Sequence, residues 1–124
     1  MFDWQQYLTL AQELRTRRDE AALRSAISRA YYAAFCTALC RLYPDGTRTF
    51  VRDSHASLWN EYKDRQGRAF NHIGQRGDRI RKDRQSADYA SEMPALEKTA
   101  DKVLSEAKSI IEFLKQRSSS DQAT

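Results

Sequence analysis

Few residues in this chain can bend or interrupt a backbone: 124 positions hold only four glycines and two prolines. A turn-rich β fold needs more of both, so the shortage points to helices. Nor does any stretch approach the roughly 20 apolar residues of a membrane span, and no membrane partner is expected. The opening residues, MFDWQQYLTL, have neither the basic n-region nor the apolar h-region of a secretory signal, so the expected location is cytoplasmic. Histidine and cysteine are scarce, at two each. Cys36 and Cys40 lie four apart in an apolar helical run, while His55 and His72 are not spaced as metal ligands. The thiols read as small buried hydrophobes, and no metal or other cofactor is expected.

Charge, by contrast, is plentiful: 31% of the residues are charged against 40% hydrophobic, with a net +4. From Lys63 to Arg84 there are eight cations (Lys63, Arg65, Arg68, Arg76, Arg79, Arg81, Lys82, Arg84) and three acids (Asp64, Asp78, Asp83). The excess is therefore local. A local excess is the footprint of a polyanion site or, alternatively, a solvated arginine-rich face.

Apolar spacing predicts an all-α, antiparallel bundle of four to five helices in one domain over residues 1–117, with a disordered tail at 118–124. The first helix falls within residues 2 to 18, carrying Phe2, Tyr7, Leu8, Leu10, Ala11 and Leu14, and ends in a basic turn. Asp19 is placed to cap the second. Between Ala21 and Cys40 that helix holds only Arg24 and Arg29 as charges, and it is apolar almost all round. Such a helix belongs at the centre, covered on several sides. The Pro44-Asp45-Gly46 turn ends it. A third helix starts near Asp53 or Ser54, with Ala56, Leu58, Trp59 and Tyr62 inward. Residues 65 to 77, with three of the four glycines, read as a connection. Asp78 would then cap a fourth helix through Ile80 to Tyr89. Ser91 would cap the last, with Pro94 in its first turn and Leu96, Ala100, Val103, Leu104, Ala107, Ile110, Ile111 and Leu114 facing the core.

Within this frame the run Ser25-Ala26-Ile27-Ser28-Arg29-Ala30-Tyr31-Tyr32-Ala33-Ala34-Phe35 resembles the second-helix signature of HEPN domains. His55 early in the next helix, and Arg84-Gln85-Ser86-Ala87-Asp88-Tyr89, similar to the R-x-x-A-D-Y motif of one HEPN subgroup, extend the resemblance over about residues 20 to 115. It implies a HEPN-like bundle, of the nucleotidyltransferase-substrate-binding kind, and a homodimer. It also implies RNA or a nucleotide as ligand. The family includes metal-independent RNases of toxin–antitoxin and defence systems, and non-catalytic RNA-binding or adaptor modules partnered with a minimal nucleotidyltransferase as antitoxin. A structural dimerisation bundle is a further reading.

Where the RNase members carry a histidine after the late arginine, this chain has Asp88-Tyr89. Metal-free RNA cleavage needs a base for the 2′-hydroxyl and a donor for the phosphate, and His and Arg suit these tasks near neutral pH. Arg84 with Asp88 makes a poor pair, because Asp88 beside an arginine is a weak base. The candidate catalytic residues are thus Arg84, His55 and His72. Arg48 precedes His55, and Arg65 precedes His72, at the loose family gap. His55 lies near a helix start, where the dipole disfavours its protonated form, and His72 lies in the expected connection; for both, a surface or capping role is the plain alternative. The candidate RNA contacts are Arg29, Arg79, Arg81, Lys82, Asp88 and Tyr89. Arg29 either points into a cleft beside Tyr31 and Tyr32 or snorkels. The tyrosines are either core or base-stacking.

Overall fold

The computed structural model describes residues 2–44 and 54–123, the side chains of Ser54 and of 118–123 excepted. These residues form an all-α bundle of five helices: α1 (Gln5–Arg15), α2 (Glu20–Leu42), α3 (Ser54–Asp64), α4 (Arg68–Tyr89) and α5 (Leu96–Ala123). Arg48, Asp45 and Gly46 lie outside the described residues.

α2 begins where Asp19 stops the chain in an extended conformation and accepts the Ala22 N–H at 3.2 Å. That cap satisfies one of the free N–H groups of the first turn. The helix then packs against all four of the others. Its alanines Ala26, Ala30, Ala33, Ala34 and Ala38 are wholly buried, and their small side chains let the neighbours come close. α5 covers one side of α2 with Ala100, Val103, Ala107, Ile110, Ile111 and Leu114, leaving Leu96 and Leu104 half-buried. α1 contributes Leu8 and Ala11 to the core, while Phe2 and Leu10 stand exposed. Cys36 is buried and Cys40 half-buried, both as free thiols, and burial pushes the Cys36 thiol up to about 12.

Three expectations need correcting. Residues 65 to 77 are not a connection, because α4 starts at Arg68 and Asp78 sits inside it, not at its cap. There Asp78 bonds Lys63 at 3.2 Å and Arg81 at 2.8 Å. The glycines that suggested a loop serve two other purposes. Gly67, at φ +98°, makes the left-handed turn before the helix. Gly77 lies against the fully buried ring of Trp59, where a Cβ would come within 2.2 Å of a ring carbon. Glycine here is a helix-packing residue, since nothing larger lets α3 and α4 approach so closely. The last correction concerns α5, which starts at Leu96, after Ala95 at φ 56°; neither Ser91 nor Pro94 opens it. Its backbone continues helically through the segment expected to fray, as far as Ala123.

Replacing Gly77 with alanine should cost about 1–3 kcal/mol by overpacking, which outweighs the roughly 1 kcal/mol that alanine gains in helix propensity. The check is a denaturant titration, in which the midpoint should fall with little change in slope.

Candidate functional site

Tyr31 is fully buried on α2, and its hydroxyl sits between two partners on α3. Trp59 Nε1 lies 3.0 Å away and His55 Nδ1 lies 2.8 Å away. The indole nitrogen can only donate, so the Tyr31 oxygen accepts that bond. The phenol hydrogen then has one partner left, His55 Nδ1, which must accept it. His55 is thereby held as the neutral tautomer with its proton on Nε2. Its ring also stacks on Phe35, with centroids 4.1 Å apart at 23°.

The electrostatics agree with that assignment. Burial first, and then the positive charges of Arg84 and Arg81, push the His55 pKa down to about 4. Burial likewise raises the Tyr31 phenol far above its ordinary value, so it stays a proton donor. The expected helix-start position of His55 is observed.

Arg84 reaches the same cluster from α4. It is 7% exposed, and its guanidinium carbon lies 5.3 Å from the Tyr31 ring centroid and 5.5 Å from that of Tyr32. Cation–π attraction to two faces offsets part of the desolvation of a buried charge. Its only hydrogen bond among the described residues is Nη1 to Asp88 at 3.4 Å, and the buried Nε–H has no partner. A guanidinium carries five N–H donors, and for this one the buried Nε–H is left without a partner.

The end of α4 that bears Arg84 is fixed by Arg24 of α2. The Arg24 guanidinium donates to the carbonyls of Ala87 at 3.1 Å and Ala90 at 2.6 Å, with Glu20 beside it at 3.3 Å. Those carbonyls are the ones a helix terminus leaves unbonded. Arg24 is therefore a helix cap supplied by another helix. Nothing local to α4 announces it.

The candidate residues fall into two groups. Arg84, His55 and Asp88 come together around Tyr31 and Tyr32, and Arg81, half-buried and paired with Asp78, lends its charge to His55. Arg29 joins them through Tyr32, its guanidinium carbon 5.4 Å from that ring. His72 does not: it is exposed on α4, edge-on to Phe113, twelve residues and about 18 Å of helix rise before Arg84. Arg79, Lys82 and Tyr89 are exposed on α4, Tyr89 at 81%. Among the described residues no three His, Cys, Asp or Glu side chains are grouped to hold a metal, and no helix is long and apolar enough to cross a membrane. Sequence reasoning missed Trp59, Phe35 and Arg24 as parts of this site, because each acts through a partner on another helix.

Comparison with protein-family models, curated proteins and solved structures finds no match for this chain.

With a depressed pKa, His55 stays neutral when folded and takes a proton when unfolded between pH of about 6.5 and about 4. The contribution it makes to stability is present above that window and is lost as pH falls through it. An NMR titration should find the His55 midpoint near 4. In Arg84→Met the midpoint should rise, because a positive neighbour is gone.

Proposed function

We propose that the protein is a HEPN-like, RNA-associated module that holds a phosphate of single-stranded RNA at Arg84 and His55. The observation that carries this reading is the guanidinium of Arg84, with an unpartnered Nε–H, packed on the same Tyr31 whose hydroxyl bonds His55. The Tyr31 bond assigns the His55 proton to Nε2. Both groups donate. A phosphodiester oxygen accepts from both, and charge-assisted bonds to phosphate are the strong kind. The sequence resemblance, Ser-x-x-Arg-Ala-Tyr-Tyr and later Arg-x-x-Ala-Asp-Tyr, supports RNA as the polyanion. So does the cluster of cations between Lys63 and Arg84.

The same hydrogen bonds favour binding over cleavage by this site alone. To act as a base toward a 2′-hydroxyl, His55 must free Nε2 and carry its proton on Nδ1. The Tyr31 hydrogen then loses its acceptor in a buried setting, which costs about 1–3 kcal/mol. Asp88, in the place of the family's histidine, is already bonded to Arg84. In this reading the cell's use of the module depends on partners: a second copy of the chain and a minimal nucleotidyltransferase are the ones the resemblance brings.

Fluorescence anisotropy with labelled single-stranded RNA tests the reading. Affinity should fall steeply between 50 and 200 mM salt. Arg84→Met and His55→Phe should each weaken binding by about tenfold, the loss of one charge-assisted bond. An absence of binding at low salt overturns it. Incubation of the RNA in EDTA separates the two forms: intact RNA agrees with binding alone, and cleavage that disappears in both variants makes the site an RNase.

A further inference from the structure

We propose that Phe2, Trp4 and Tyr7, together with Arg29, form a stacking platform for the RNA base next to the phosphate at Arg84. The inference rests on the RNA reading above and adds a second, chemically different contact to it.

Three observations converge. The first is an aromatic cluster at the start of α1 whose outermost ring, Phe2, the core does not account for. Phe2, Trp4 and Tyr7 meet edge to face, with centroids 4.8, 5.5 and 5.4 Å apart. Trp4 and Tyr7 pack against the core at one side, but Phe2 is 45% exposed. An edge-to-face cluster presents ring surface outward, and every nucleobase has a face to lay on it.

The second is Arg29. It is half-buried on α2 and, among the described residues, has neither an ion pair nor a hydrogen bond. Its guanidinium carbon sits 4.8 Å from the Tyr7 centroid and 5.4 Å from that of Tyr32. The other arginines packed into this part of the protein have acidic partners, Arg24 with Glu20 and Arg84 with Asp88. Arg29 therefore brings a positive charge and a planar stacking surface with no acid to neutralise it.

The third is continuity. Tyr32 carries Arg29 at 5.4 Å and Arg84 at 5.5 Å, so one half-exposed ring lies under both guanidiniums. Arg84 already has Asp88 as its anion, so the uncompensated charge beside this ring is that of Arg29. From His55 through Tyr31, Arg84, Tyr32 and Arg29 to Tyr7 and Phe2 the side chains touch in sequence. Cations and rings alternate along that path, with His55 and Arg84 towards one end and the rings of Tyr7 and Phe2 at the other. A single strand lying along it meets donors for its phosphates and faces for its bases. A purely structural staple between α1 and α2 would need Tyr7 and Arg29 but not the exposed Phe2.

The test compares a labelled single-stranded oligouridylate with an abasic ribose-phosphate strand of the same length and charge. Wild-type protein should prefer the strand with bases by about tenfold. Phe2→Ala, at an exposed position that leaves the core intact, should reduce that preference severalfold, and Tyr7→Leu should reduce it further. Arg84→Met should weaken both strands alike. The tryptophans supply an independent readout, because Trp59 is wholly buried and Trp4 belongs to the platform. Oligouridylate should quench the emission of the wild type and leave that of Trp4→Phe unchanged. Equal affinity for the two strands, or a preference that survives Phe2→Ala and Tyr7→Leu, overturns the platform while leaving the phosphate site standing. Failure of the wild type to bind either strand overturns both.

Discussion

The hydroxyl of Tyr31 is the point on which the candidate site depends. It is buried in the centre of the bundle, so its oxygen and hydrogen must both find partners. α3 supplies them, Trp59 on one side and His55 on the other. That pair of bonds ties α2 to α3, chooses the tautomer of His55, and fixes the side of the ring left free. Arg84 then packs over the same aromatic ring from α4. One phenol thus brings three helices into register, and whatever the site does chemically follows from the polarity of that small network. A buried network of this kind is stabilising only while every member is satisfied. Arg84 is the member that is not.

Close approach of the helices makes the network feasible. The Trp59 indole that bonds Tyr31 also lies against α4, and α4 can come so near because Gly77 has no side chain there. Arg24 closes the arrangement at the far end, bonding the last carbonyls of α4 from α2. Gly77 acts at the middle of α4 and Arg24 at its C-terminal end.

Much of the scaffold was legible in the sequence, because its signals are local. An all-round apolar α2, its Asp19 cap, the inward face of α5 and the start of α3 each follow from the residues of a single segment. The glycines of α4 were misread for the complementary reason. A glycine that permits a turn and a glycine that admits a tryptophan from another helix look alike in one dimension, and only Trp59 distinguishes them. Arg24 illustrates the same limit: its partners are backbone carbonyls more than sixty residues away, and carbonyls carry no sequence signal. Among the candidate site residues, Arg84 and His55 are brought together and His72 is not. Spacing along the chain had offered both histidines on equal terms, and the Tyr31 hydrogen bond separates them.

Asp88 gives the cluster its remaining character. A carboxylate four residues after Arg84 on one helix face holds one guanidinium donor at 3.4 Å, at the long end of a bonding distance. It brings a negative charge to the cluster. On the proposed reading, a phosphate arriving at Arg84 competes with a weakly bonded anion already there, and it does so facing the charge of Asp88 itself. Affinity at this single site is limited in consequence. A ligand able to make further contacts, through its bases or through the neighbouring arginines, gains from each one without meeting that repulsion again. On the proposed reading, a polymer such as single-stranded RNA satisfies the condition better than a free phosphate, which has only the contested contact to offer.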